Sequence, residues 1–235
     1  MLRFVQGSGR ASDRKLRLFG VECCHRIWDL LMDQRSRRAV DVAEAFAEGL
    51  AGKVALGAAR GEARAAVRLV AGRNYPSSYQ RKIAQRAAEA AAGLTSKRVG
   101  KVICSVAGAA AEAAAEKAGL DGGRSGVHGL TRAARMHSES GSQRALLVEF
   151  LGPLPFRTMT VAPAWLAWEN GRVKQLAQAA YEHRAMPSGC LGPDRLAILA
   201  DALEEAGCVH TEVLGHLRGP GPHIRGCWAV DLIRE

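Results

Sequence analysis

Aromatic side chains are scarce in this chain, at 5% of 235 residues. A core with so few of them has to come from aliphatic packing, and a surface with so few offers little on which bases could stack. Long apolar runs are missing as well. The longest, residues 102–111, stops at Glu112 and falls short of the roughly 20 residues that a membrane-spanning helix needs. No period-2 run of β-branched residues extends beyond a few positions, so sheet is expected to be at most a minor component. The six cysteines (Cys23, Cys24, Cys104, Cys190, Cys208 and Cys227) form no C-x-x-C pair, and Met1-Leu2-Arg3-Phe4 lacks the apolar core of a signal peptide. The expectation is a soluble cytoplasmic protein with reduced thiols. Catalytic signatures are absent: there is no glycine-rich phosphate loop, H-E-x-x-H, G-x-S-x-G or Asp-x-Asp cluster. No catalytic residue is assigned, and the reading leans away from an enzyme.

Alanine is plentiful, dominating residues 39–118, and long stretches are free of proline. Both features predict an all-α array of several helices. Ser12-Asp13 starts the first, in which Leu16, Phe19, Cys23, Ile27, Leu30 and Leu31 recur at spacings of three and four up to about Asp33. Ser36 is expected to cap a second helix that stops at Gly52 and forms an antiparallel hairpin with the first. Residues 53–72 continue in helical composition, interrupted by Gly57 and Gly61. After the break at Asn74-Tyr75-Pro76, helices are predicted over 78–92 and, capped by Thr95 or Ser96, up to Ala118. Residues 121–126 and 137–142 read as loose, and 145–151 as a short helix. A Pro-rich, non-helical strap over 156–165, anchored by Phe156, Val161, Trp165 and Trp168, leads to helices over 171–185, 194–206 and 211–217 and a final apolar segment, 227–233. The expected organisation is a basic Ala-rich region over 1–120, a linker with a short helix over 121–144, and a compact helical module over 145–235.

The net charge of +10 is unevenly spread: residues 1–150 carry +11 and residues 151–235 carry −1. A basic half suits anionic partners. Arg35, Arg37 and Arg38 cluster at the first hairpin, and Arg81, Lys82 and Arg86 precede Lys97, Arg98 and Lys101. These nine are the candidate phosphate contacts. Interspersed glutamates (Glu44, Glu48, Glu89, Glu112, Glu116) and the lack of a recognition-helix or RNA-module motif favour a solvated basic face over a nucleic-acid surface.

The densest chemistry lies in the last 28 residues, with Cys208, His210, His216 and then Gly219-Pro220-Gly221-Pro222-His223-Ile224-Arg225-Gly226-Cys227-Trp228. This tail, with the preceding Ile198-Leu199-Ala200-Asp201-Ala202-Leu203-Glu204-Glu205-Ala206-Gly207, resembles the C-terminal module of an uncharacterised bacterial protein family that is much expanded in certain large genomes. The start, Ala11-Ser12-Asp13-Arg14-Lys15-Leu16-Arg17-Leu18-Phe19 with Cys23-Cys24 and Arg26-Ile27-Trp28, is similar to that family's N-terminus. An Ala-rich middle of variable length also belongs to the family. The resemblance implies no activity. Residues 194–207 are loosely similar to a short helical module that accompanies repeat domains in such bacteria, which implies interaction. The insertion-like Met186-Pro187-Ser188-Gly189-Cys190-Leu191-Gly192 departs from the pattern.

Cys208, His210, His216, His223 and Cys227 offer thiolate and imidazole ligands enough for a tetrahedral zinc site, although their spacing is not that of a standard finger. The weightier expectation is that the thiols are small buried hydrophobes. The turn at 219–226 could present His223 and Arg225 to a ligand or anion, but a structural corner is favoured. Cys24 and His25 diverge by about 100° on a helix, so they form no nucleophile–base pair. The leading expectation is a non-catalytic helical interaction or scaffold protein that engages a protein partner and needs no cofactor. A nucleic-acid-associated protein using the basic half is the first alternative, and a zinc- or thiol-dependent site at the tail is the second.

Overall fold

The computed structural model describes residues 2, 5, 11–124, 132–153, 159–185 and 189–234, with the backbone alone at 120–124. The protein is all-α: the described residues hold eleven α-helices and one two-stranded sheet. None of these helices is long and apolar enough to cross a membrane. The chain divides into two compact units, Met1–Leu146 and Leu147–Glu235.

In the first unit, α1 (Asp13–His25) starts where predicted, and the Ser12 hydroxyl accepts from the Lys15 amide at 3.2 Å. Helix α2 (Gln34–Ala47) begins earlier than expected. Asp33 is its cap, accepting from the Arg35 amide at 2.9 Å, and Ser36 is buried in the first turn. The Asp33 carboxylate offers the same cap geometry as a hydroxyl and a charge that the helix N-terminus favours. Helix α3 (Lys53–Gly72) runs unbroken through Gly57 and Gly61. Each glycine costs about 1 kcal/mol there, and the buried face of Leu56, Ala59, Ala63, Ala66 and Val70 outweighs it. Helices α4 (Ser78–Leu94), α5 (Val99–Arg124) and α6 (Arg132–Leu151) follow. The segment 137–142, expected to be loose, is helical, and the Ser140 and Ser142 hydroxyls are accommodated by donating to the Met136 and Ser138 carbonyls one turn back at 2.8 and 3.4 Å. Of the expected linker, 121–124 and 132–144 are thus helical, and 125–131 lie outside the described residues.

Alanine sets how these helices meet. Helices α4 and α5 form the most extensive pairing, α1 lies against both, α2 packs on α1, and α3 packs on α2 and α4. Arg17 of α1 is buried and donates to the carbonyls of Leu94 and of Ser96 (3.0 Å), closing the C-terminal end of α4. Its guanidinium lies over the Phe46 ring at 5.0 Å. Gly93 lets α5 come so near that a Cβ there would sit 2.5 Å from Val106 Cγ2.

The second unit begins with the last turn of α6 and continues with α7 (Pro163–Ala167), α8 (Arg172–Glu182), β1 (Arg184–Ala185), β2 (Cys190–Leu191), α9 (Pro193–Glu205), α10 (Thr211–Leu217) and α11 (Trp228–Arg234). Its core joins Val173, Ala177 and Tyr181 of α8 with Leu196, Leu199 and Leu203 of α9, as the sequence predicts, and adds Leu217, Trp228 and Ile233. Parts of the expected strap (154–158, with Phe156) and of the insertion (186–188) lie outside the described residues, and the end of the strap, expected to be non-helical, is helical from Pro163, whose ring suits the first helical position. Helix α8 ends at Glu182 instead of 185, because Arg184 and Ala185 pair antiparallel with Leu191 and Cys190.

Replacing Gly93 by Ala should destabilise the first unit, since overpacking costs about 1–3 kcal/mol and the branched Val106 cannot turn aside without cost, while better helix propensity returns about 1 kcal/mol. Gly57→Ala, with open space around its Cβ, should instead stabilise it slightly. Thermal denaturation of the two variants checks the opposite signs.

Candidate metal centre

A carboxylate on an apolar helix face starts the site. Glu149 lies between Val148 and Phe150 in the last turn of α6, three residues past the buried Leu146, so helical spacing turns it inward. It is buried. Three later segments supply its surroundings. Helix α10, anchored by Val213, Leu214 and Leu217, carries His216 in its last turn. The bend after it contains Gly221 at φ 71°, where a side chain would meet the His223 amide nitrogen at 2.8 Å. His223 and Ile224 are then fixed by β2: Leu191 N donates to His223 O at 2.7 Å, and Ile224 bridges Cys190. Cys227 directly precedes α11, whose Trp228 packs against Gly152 and lies 5.1 Å from the His216 ring, centroid to centroid.

The result is a compact group of four donors. One oxygen, two nitrogens and one sulfur from Glu149, His216, His223 and Cys227 lie within 4.8 Å of one another. His216 Nε2 is 3.2 Å from Glu149 Oε2 and 3.2 Å from Cys227 Sγ, and His223 Nδ1 is 3.4 Å from Glu149 Oε1. The two imidazole rings meet edge to face, with centroids 4.7 Å apart. Two outer contacts orient the donors. The Ile224 amide donates to Glu149 Oε1 at 3.3 Å, and His223 Nε2 is 3.4 Å from the Gly219 carbonyl. With a proton on Nε2 the ring can donate to that carbonyl, and Nδ1 faces into the group. There Nδ1 is buried and makes no well-formed hydrogen bond, despite the nearby carboxylate.

Burial alone would push the Glu149 carboxyl up, but the imidazoles of His216 and His223 outweigh it and hold the group below the usual carboxylate range. Burial would likewise lower His223, and the Glu149 charge more than compensates, leaving it raised. Burial and the same carboxylate push the Cys227 thiol well up. The arrangement does not suit thiol catalysis. A relay needs the carboxylate on one imidazole nitrogen and the thiol on the other, whereas His216 turns Nε2 to both. Cys227 has no exposed surface. Donors from Cys, His and Glu are what zinc takes.

Of the five residues marked as metal ligands by the sequence, three come together and two stand apart. Cys208 closes α9: its amide donates to Leu203 O and that of Gly207 to Glu204 O, with Gly207 at φ 88°, and its thiol sits in the core. His210 is exposed and meets Trp165 edge on, with ring centroids 5.5 Å apart. Glu149 escaped the sequence reading. Its signal was a carboxylate at apolar-face spacing in a short hydrophobic helix. His223 and Arg225 do not form an anion site together, because His223 faces a carboxylate and the Arg225 guanidinium lies over Tyr181 at 5.6 Å. Cys23 and Cys24 are both buried, with thiol pKa values pushed up by burial, Cys24 to about 12.

The nine basic candidates are divided. Arg35 makes a two-pronged pair with Asp33, Arg86 pairs with Glu89 and Glu112, and Lys82 lies 3.8 Å from Glu116. Arg37 donates to the Leu31 carbonyl and lies over Trp28. Arg38, Arg81, Lys97, Arg98 and Lys101 are exposed.

No family model matches the chain, and no curated protein or solved structure matches it.

In metal-free protein two titrations set the stability of this region. Glu149, with its lowered value, contributes stability above the ordinary carboxylate pKa and loses it as pH falls through the lowered one. His223, with its raised value, contributes below the ordinary imidazole pKa and loses it as pH rises through the raised one. Chelator-treated protein should therefore resist urea best between about pH 4.5 and 6.5. Glu149→Gln should flatten both flanks of that profile, and a wild-type profile already flat would contradict the ion pairing.

Proposed function

We propose that the second unit is a zinc-tied helical module with a structural, non-catalytic role. The observation that carries this reading is the convergence of four donor atoms within 4.8 Å. Around a tetrahedral zinc with bonds of about 2.0–2.3 Å, neighbouring ligand atoms stand about 3.3–3.6 Å apart. His216 Nε2 already stands at 3.2 Å from both Glu149 Oε2 and Cys227 Sγ, and the wider pairs, within 4.8 Å, would have to close by about 1 Å to reach that shape. Four protein ligands fill the coordination sphere, as in sites that hold a fold together, whereas catalytic zinc keeps a position open for water. A zinc ion would also resolve the electrostatics: it displaces the Cys227 proton, neutralises Glu149 and takes the place of the proton between His223 Nδ1 and that carboxylate. The module would then serve as a rigid interaction surface, in keeping with the scaffold expectation.

Protein purified from zinc-supplemented cells should carry about one equivalent of zinc per chain. Cobalt substitution should give tetrahedral visible bands and a thiolate-to-cobalt charge-transfer band that Cys227→Ala abolishes. Cys208→Ala should leave the charge-transfer band in place. Metal content near zero together with no cobalt spectrum rejects the site.

A further inference from the structure

Between Glu62 and Glu89 the chain carries no carboxylate at all, yet it holds Arg64, Arg68, Arg73, Arg81, Lys82 and Arg86. Folding sharpens this run, because it is the second half of α3, the turn, and the first half of α4, and the two helices pack against each other. Arg64 and Arg68 lie one turn apart on the outer face of α3, about 6 Å along its axis. Arg73 and Arg81 flank the turn. These four and Lys82 are exposed, as are Asn74, Ser77 and Gln80 around them. Some other cations of the first unit have carboxylates at hand, as Arg26 has Glu139, and within the run itself Arg86 pairs with Glu89 and Glu112 and Lys82 lies 3.8 Å from Glu116. Among the described residues, Arg64, Arg68 and Arg81 pair with none.

We propose that the α3–α4 hairpin is a phosphate-binding surface for double-stranded nucleic acid. Charge complementarity selects an anionic polymer, and the rest of the surface selects which one. Single strands are held by aromatic platforms. The two aromatics of this hairpin are committed elsewhere, Tyr75 packing beside Val70, Ala84 and Ala88 and Tyr79 donating to Glu116. A membrane surface calls for an apolar wedge beside the cations. From Arg64 to Lys82, Leu69 is the only exposed large hydrophobic residue, at 45%. An acidic protein partner would call for buried aromatic or aliphatic anchors, which this face lacks for the same reason. What remains are exposed guanidinium groups and small polar donors spread along the hairpin, the composition of backbone contact without base readout. The proposal is independent of the metal site, which belongs to the other unit.

The test is fluorescence anisotropy of the full chain with a labelled mixed-sequence DNA duplex across salt concentrations. With up to five phosphate contacts, affinity should fall by up to about 500-fold between about 50 and 200 mM salt, and Arg64→Ala/Arg68→Ala/Arg81→Ala should reduce that fall to about tenfold. The corresponding triple Lys variant should keep the steep dependence, and Lys174→Ala, an exposed cation of the other unit, should match the wild type. The three Ala changes are on exposed positions, and an unchanged melting curve confirms that they act on binding. No binding at about 50 mM salt, a slope unaffected by the triple Ala variant, tighter binding of single strands, or binding of anionic vesicles without binding of duplex would each overturn the proposal.

Discussion

A buried carboxylate governs the second unit. Removing Glu149 from water costs several kcal/mol unless its charge is met, and a single imidazole does not saturate two oxygens. The fold meets it with His216 on one oxygen, and with the Ile224 amide and His223 on the other. Each of those partners depends on something further out. His216 is placed by the short α10, and His223 by the pairing of its carbonyl with Leu191, so the tiny sheet exists largely to hold one histidine-bearing strand. Trp228 covers the group from Gly152 and His216, and α11 starts from Cys227. Removing the carboxylate would leave these segments with no common centre.

The first unit solves a different problem by a different means. Its helices are rich in alanine, so each contact buries little area, and stability has to come from many close helix–helix approaches such as that of Gly93 to Val106. Charges are handled locally, with buried Arg17 spent on the carbonyl end of α4, and Glu116 on Tyr79 and Arg132. Against those met charges, Arg64, Arg68 and Arg81 of the hairpin stand without a carboxylate. Nothing in the packing of α3 on α4 requires Arg64, Arg68 or Arg81, which point away from it.

Much of this was legible in the sequence where the signal is local. Ser12 as a cap, the inward faces of α8 and α9, and the break at Pro76 follow from short-range rules. Errors arose where a competing local group won, as Asp33 did over Ser36, or where polar residues turned back on their own helix, as Ser140 did. The site was half legible. His216, His223 and Cys227 lie close enough in sequence to be grouped, but proximity drew in Cys208, whose place after Gly207 marks the end of a helix. Glu149 could be found only through the tertiary fold, because its partners come from the far end of the unit. Likewise Arg81 and Lys82 were visible as charges, but they became part of one surface only when α4 packed beside α3.

The placement of the four donors argues for what a metal would do there. Glu149 stands at the start of the second unit and Cys227 near its end, so a shared ion closes a loop that contains nearly the whole unit. A cross-link around a loop of that size removes about 4–5 kcal/mol of unfolded-chain entropy by the reckoning used for disulfides. That is comparable to the total stability of many small domains, and a unit of fewer than a hundred residues has little core to spare. A metal recruited for chemistry would be expected to open towards solvent and substrate. This one would be walled by Trp228 and by the buried thiol and imidazole that bind it, with the greatest effect on the stability of the fold around it.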